Sequence, residues 1–458
     1  MMLFPSCRIL ISLLTFFLIR QAHSKPTTSS HFEWLQRCLA RTQLSFSTNS
    51  TGVCSRPCGL IPFTDYLPWT HQPVCVKARS EEDQREHSFC LYTNADFRDG
   101  RGFSIITTAD VGTYISEQPI MWDRERWRKK TITFKDQPYK MEDMAERGLG
   151  LRANQTITYG RVFMESSPTI VVIRSALDFM TREQRHYMFR RAIKQLPVKT
   201  GNMILKLAKS MGGDELDDVF KTNGIGQIYG EDIRHLSILP EVARINHDCR
   251  PNSAYRFDDT TLKHEVFAIR DIKPGEEITV TYVPPEMPSD MRNSLLRNQW
   301  NFDCTCSLCA AQDFTLATSD TRLRTIQEYA SDLASVSNDP ELFLEKVERI
   351  LELYELEDII APKARYLELA AYACSQLGLE AATKKYAKKA YDMWDVIAGK
   401  DSWEKKGMGA LLRDPKAHPS WKYGQGEKQN ESASEDPTEL GNGNASELFS
   451  EVLEPTKE

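Results

Sequence analysis

Residues 244–253 read RINHDCRPNS, placing an Asn-His pair, a Cys and a Pro-Asn pair within ten positions. Asn, Asp and Pro favour turns over ladders, and strand formers are nearly absent, so the stretch suits neither a plain strand nor a plain helix. It reads as a tight loop crowded with hydrogen-bonding groups and one thiol. Whatever fold the chain adopts must find partners for those groups.

The flanks of this loop have clearer periodicity. "GRGFSIITTADVGTYI" (100–115) reads as a tight glycine turn, a short β-strand and a second turn. From about 176 to 222 the pattern is helical. Leu177, Met180, Tyr187, Met188 and Ile193 fall at helical spacings in one run that Pro197 ends. "LKHEVFAIRDIKPGEEITVTY" (262–282) reads as a strand, a Lys-Pro-Gly turn and another strand. In the second strand Ile278, Val280 and Tyr282 share one face, and Thr279 and Thr281 take the other.

Beyond Cys309 the composition is helical. Asp339 caps a helix with Pro340 at its first position, Pro362 opens a second that Gly378 ends, and a third is stopped by Gly399. The last two, joined by a Gly turn, resemble a tetratricopeptide-like hairpin. The final stretch is acidic, polar and poor in aromatics, and reads as disordered. At 458 residues the chain has material for two to four domains. Its net charge of -6 gives no reason to expect direct nucleic-acid binding or attraction to anionic lipid.

The beginning of the chain differs from the rest. One early Arg, an apolar run from Ile9 to Ile19, and small residues at Ala22 and Ser24 fit a secretory signal peptide cleaved after Ser24. That run is too short to span a bilayer, so no membrane span is expected in the mature chain. Cys38, Cys54, Cys58, Cys75 and Cys90 follow, and four of the five suit two disulfides in an oxidising compartment. Sequons begin at Asn49, Asn154, Asn430 and Asn444.

Four segments, in order, resemble a SET-domain methyltransferase. They are "GRGF" (100–103), "RINHDCRPN" (244–252), "GEEITVTY" (275–282) and "WNFDCTCSLC" (300–309), the last like the Cys-x-Cys-x-x-Cys segment that follows many SET domains. "TNGIGQIYGE" followed by "ILPEVARINHDC" is similar to the SET-and-MYND class. No cysteine lies between Cys90 and Cys249, which departs from that class by leaving out its MYND zinc module. The whole looks more like the stand-alone SET proteins of filamentous fungi. The fold this resemblance implies is α+β: small β-sheets with a pseudoknot and a helical insertion, followed by a C-terminal helical region. It divides the chain into a leader (1–24), a cysteine-containing region (25–90), the SET domain (91–283), a zinc segment (284–312), a helical region (313–415) and a disordered acidic tail (416–458).

The resemblance also assigns roles. S-adenosylmethionine is the implied methyl donor, contacted by Gly100, Arg101, Gly102, Asn223, Asn246, His247, Tyr282, Trp300 and Phe302, with an aromatic at the Phe302 position stacking on adenine. Glycines at 100 and 102 leave the backbone open to a ligand. The 244–253 loop is then dense because it is buried, knotted and beside the cofactor, and Asn252 supplies bonds to its irregular backbone. Cys304, Cys306 and Cys309 offer three sulfurs where tetrahedral zinc takes four, and the family closes the site with the loop cysteine, here Cys249. Two disulfides among these four remain the alternative.

Tyr282 is the expected catalytic residue. Methyl transfer to lysine needs a neutral amine, which costs about 4–5 kcal/mol at pH 7 for an unperturbed side chain. A dry channel lowers that cost, and a tyrosine hydroxyl orients the amine, so alignment does most of the work. The expected activity is S-adenosylmethionine-dependent protein-lysine N-methyltransfer, on a protein substrate presenting a lysine. The alternative is a catalytically inactive SET-fold binding protein in the secretory pathway. The leader points to that pathway or the exterior, whereas the chemistry suits cytoplasm or nucleus.

Overall fold

The computed structural model describes residues 66–79, 85–123, 137–229 and 233–423. The leader, Cys38, Cys54, Cys58 and everything from 424 onward lie outside them. Strands β1 (Val74–Arg79), β2 (Glu86–Asn94) and β3 (Phe103–Thr107) form an antiparallel meander. Cys75 and Cys90 face each other across the first pair and are joined by a disulfide. The boundary expected at residue 90 therefore falls inside a strand, and the cysteine-containing region donates two strands to the SET sheet.

After β3 the chain does not turn again but forms helix α1 (Ala109–Glu117). The second turn expected within 100–115, where Gly112 lies, is this helix. Gly112 is there because a Cβ at that position would lie 2.5 Å from the Tyr92 ring, while Val111 and Ile115, one helical turn apart, are buried.

Strands β4 (Tyr139–Asp143), β5 (Leu149–Ala153), β6 (Val162–Ser166) and β7 (Ile170–Ile173) come next. The helical stretch that follows is four helices: α2 (Arg174–Phe179), α3 (Arg182–Gln195), α4 (Val198–Leu205) and α5 (Glu215–Asn223). The run expected to be continuous up to Pro197 breaks at Thr181. Its hydroxyl accepts from the backbone of Gln184 while the Gln184 side chain accepts from the Thr181 backbone. This capping box starts a new helix in the middle of a continuous apolar pattern.

Strands β8 (Gly224–Tyr229), β9 (Ile233–Ile238), β10 (Asn246–His247), β11 (Ser253–Asp258), β12 (Lys263–Ala268) and β13 (Glu277–Val280) complete an α+β architecture of three sheets. Their orders are β1-β2-β3-β7-β9-β8, β10-β13-β5-β4 and β11-β12-β6. The two strands read in 262–282 thus belong to different sheets. Ile278 and Val280 are buried in one apolar cluster that Tyr282 packs against, as their alternation required.

The remaining helices are α6 (Ser289–Trp300), α7 (Asp313–Asp332), α8 (Pro340–Leu356), α9 (Lys363–Gln376), α10 (Glu380–Ile397) and α11 (Trp403–Arg413). Asp339 caps α8 through Leu342 N, and Gly378 and Gly399 both have positive φ where the helices end. This helical region is not a separate body. Phe267 and Ile269 from the SET sheets share one core with Trp394, Met408 and Leu411. Residues 416–423, expected to begin the disordered tail, include a buried Ser420 whose hydroxyl bonds Ser375 at 2.9 Å.

Candidate active site

Strand β10 pairs in parallel with β13, Asn246 opposite Thr279 and His247 opposite Val280. Between these strands the chain leaves to build the β11-β12 hairpin of another sheet and returns. Asn252 holds that excursion in place. Its amide donates to Glu277 O at 2.7 Å and its Oδ1 accepts from Thr279 N at 2.9 Å. One side chain thus does for buried irregular backbone what a ladder would otherwise do.

His247 lies at the centre. Nδ1 accepts from the Tyr282 backbone N–H at 3.0 Å, which leaves the proton on Nε2, 3.4 Å from the Cys249 sulfur. Burial lowers its pKa to about 4, so the ring is neutral at physiological pH. Tyr282 donates its hydroxyl to Ile245 O at 2.7 Å. Its ring centroid lies 5.2 Å from Trp300, 5.3 Å from His247 and 6.5 Å from Phe302. Burial pushes the phenol well above its ordinary pKa, so Tyr282 stays protonated and acts as a donor rather than a base.

Asn246 donates to Glu277 Oε1 at 2.9 Å. The other oxygen of Glu277 takes Arg147 Nη1 at 2.7 Å, and Arg147 also donates to His247 O. Arg147 and Glu277 were not singled out in the sequence, since their partners lie 100 and 31 positions away. Tyr255 was also missed. It packs against the apolar cluster that Tyr282 also packs against, and its ring lies tilted at 4.8 Å from His264.

The glycine turn divides into two roles. Gly100 and Gly102 both have φ of +79°. A Cβ on Gly100 would meet nothing, so its backbone borders open space, whereas one on Gly102 would lie 2.6 Å from Pro197 Cδ. Gly102 is needed for packing and Gly100 for conformation. Arg101 is occupied inside the protein: it makes a two-pronged ion pair with Glu241, both contacts 2.6 Å, and reaches Ser166 and Ser167. Burial would raise the Glu241 pKa, but Arg101 holds it below the usual carboxylate range. Asn223 donates its amide to Ala208 O and Val219 O. Of the nine residues assigned to the cofactor, Asn246, His247, Tyr282, Trp300 and Phe302 come together around the loop. Arg101 and Asn223 spend their donors on structure. An open groove of about 500 Å3 along α3, lined by Arg182, Arg190, Arg191 and Lys194, includes none of the nine.

Cys249, Cys304, Cys306 and Cys309 are free thiols whose sulfurs all lie within 4.8 Å of one another. Cys249 is 3.6 Å from Cys309 and 3.9 Å from Cys304. Zinc–sulfur bonds of about 2.3 Å at tetrahedral angles put sulfurs about 3.8 Å apart, so the donor set and spacing fit a structural zinc. Hydrogen bonding to the other sulfurs pushes Cys306 and Cys309 down and Cys249 up, as expected when thiols this close share protons.

Comparison with known proteins agrees with this geometry. Residues 148–283 match the family described as SET domain. The chain is 39% identical over 88 residues to the human N-lysine methyltransferase SMYD2, covering 19% of this chain and 20% of that protein. It is 31% identical over 156 residues to the human histone-lysine N-methyltransferase SMYD3, covering 31% and 35%. The mouse SMYD3 protein is 29% identical over 174 residues, covering 35% and 39%. The chain thus spans between a fifth and two-fifths of these relatives' lengths. It carries a SET domain, and over 88 to 174 residues it is similar to lysine methyltransferases.

Proposed function

We propose that this protein is a protein-lysine N-methyltransferase that uses S-adenosylmethionine, with Tyr282 at the reacting centre. The observation that carries this reading is the bond from Tyr282 N to His247 Nδ1, which joins the Asn-His loop to the tyrosine across a parallel strand pair. The relatives' printed activities support it.

When bound, S-adenosylmethionine supplies an electrophilic methyl group. The residues that would hold it fit. Gly100 offers backbone beside open space, Asn246 presents a half-buried amide, and Trp300 and Phe302 provide aromatic faces next to Tyr282 and His247. The chain's own contribution is alignment. Tyr282, fixed by Ile245 O, orients an incoming amine, and the aromatic wall keeps water out and favours the neutral amine over the ammonium. Zinc at the four cysteines would tie Trp300 and Phe302 to the Asn-His loop through Cys249 and so set the wall's position.

We read the leader as directing this protein into the secretory pathway. The Cys75–Cys90 disulfide and the exposed Asn154 of one sequon support that reading. Amino-terminal sequencing of the mature protein should begin at Lys25, and an intact Met1 would overturn it.

The activity test is incubation with methyl-labelled S-adenosylmethionine and a protein extract, followed by acid hydrolysis and amino-acid analysis. Label in methylated lysine supports the proposal. No label in any amino acid, with bound cofactor demonstrated, refutes it.

A further inference from the structure

We propose that Asn154 is an acceptor for an N-linked oligosaccharide, taken from a polyprenyl-diphosphate-linked donor. This rests on the secretory reading of the leader. Of the four sequons, only Asn154-Gln155-Thr156 falls among the described residues, and all three of its positions are exposed in the turn that follows β5. A sequon is usable only on the surface, because the attached sugar is bulky and polar. The turn is pinned at both ends without the side chains of Gln155 and Thr156. Ala153 and Ile157 on either side are 1% and 0% exposed. Ala153 donates its N–H to Glu276 O and accepts from Gly275 N, and Ile157 and Ile272 exchange backbone bonds of 3.0 and 2.9 Å. The side chains of Gln155 and Thr156 make no hydrogen bond among the described residues, which leaves the Thr156 hydroxyl available to the transferring enzyme.

Asn154 Nδ2 donates one hydrogen to Gln137 O at 3.2 Å, and its amide carries two. In the transfer Nδ2 gives up a proton and forms a bond to the anomeric carbon of the first sugar. The bond from that carbon to the diphosphate breaks, and polyprenyl diphosphate leaves with the electron pair. The product amide keeps one N–H, enough for Gln137 O. The position also spares the candidate active site. Strand β5 runs antiparallel to β13, with Leu151 opposite Ile278 and Arg152 opposite Glu277. Asn154 therefore lies beyond the start of β13, whereas Tyr282 lies beyond its other end. An oligosaccharide there leaves the Tyr282 end of the strand uncovered.

The test expresses the full chain in a eukaryotic secretory host, once with its own leader and once behind the leader of an unrelated secreted protein. Each product is treated with peptide N-glycosidase in 18O-water, digested with trypsin and read by mass spectrometry at the peptide 153–161. Conversion of Asn154 to 18O-labelled Asp is expected in both. Asn154→Gln and Thr156→Ala should each lose the mass of one oligosaccharide, while Thr156→Ser, which keeps a hydroxyl, should retain it. If Asn154→Gln does not fold, Thr156→Ala decides, since it leaves the bond to Gln137 in place. Unmodified Asn154 in a secreted protein that begins at Lys25, or in the product of the unrelated leader, overturns the proposal. An intact Met1 and no sugar with the native leader, beside a modified Asn154 behind the unrelated one, overturns the secretory reading and supports the acceptor site.

Discussion

Glu357 tests whether the helical region holds the signature loop in place. It follows α8, its side chain is 2% exposed, and it accepts from three donors: Arg250 Nη2 at 2.6 Å, Arg322 Nε at 2.5 Å and Ser319 Oγ at 2.6 Å. Arg250 is the residue after Cys249 and is itself 12% exposed in its side chain. Glu357→Ala leaves both guanidinium groups without their carboxylate. Deleting one partner of a buried pair costs about 3–5 kcal/mol. The lower end applies, because Arg250 keeps its bonds to Cys249 O and Pro285 O and Arg322 is 27% exposed and can hydrate. A loss of about 3 kcal/mol is therefore expected for Ala, and about half of that for Glu357→Gln, which keeps an acceptor but no charge. Urea unfolding followed by tryptophan fluorescence reads it. The same variants should retain zinc less well, since Arg250 anchors the carbonyl of a ligand. A cost below about 1 kcal/mol for Ala would refute the argument that this buried carboxylate holds two regions together.

The structure fixes the direction of further perturbations. Purified protein should carry about one zinc per chain, and Cys249→Ser should lose it and loosen residues 300–309, as read by metal analysis and hydrogen exchange; a disulfide found among Cys304, Cys306 and Cys309 would contradict this. Gly102→Ala places a Cβ 2.6 Å from Pro197 at positive φ and should cost about 1–3 kcal/mol in thermal unfolding, more than Gly100→Ala, which meets open space. Burial raises the Glu404 pKa to about 7, so the folded state holds a proton there that the unfolded chain releases above about pH 4.5. Stability from this group is then present below pH 4.5 and lost as pH rises to 7. Glu404→Gln should flatten unfolding midpoints across that window, and an unchanged slope would be the contrary result.

The fold was legible where a residue type has one dominant reason to be present. Asp339-Pro340, Gly378 and Gly399 mark helix ends because cap chemistry is local, and the alternation at 278–282 places Tyr282 correctly because strand faces have period two. It was misleading where one residue type serves two purposes. Gly112 reads as a turn but exists to admit the Tyr92 ring, and Thr181 reads as helix interior but is a cap. In the site, the four cysteines were legible from spacing together with the family resemblance. Arg147, Glu277 and Glu357 were not, because each acts through a partner that only the folded chain brings near. Arg101 shows the reverse: its place in a glycine turn suggested a ligand contact, and a partly buried glutamate 140 positions away takes both of its terminal nitrogens.

The central claim is that Tyr282 aligns a lysine for methylation in a pocket built from the Asn-His loop. The most direct measurement is the single-turnover rate of methyl-lysine formation by wild type and Tyr282→Phe, with S-adenosylmethionine affinity measured in parallel by calorimetry. Phe keeps the ring against Trp300 and His247 but gives up the hydroxyl bond to Ile245 O. Affinity should change little and the rate should fall about 100-fold, the scale expected when a reacting group is misplaced by about 1 Å. Equal rates in the two proteins, or methyl groups found on residues other than lysine, would contradict the account.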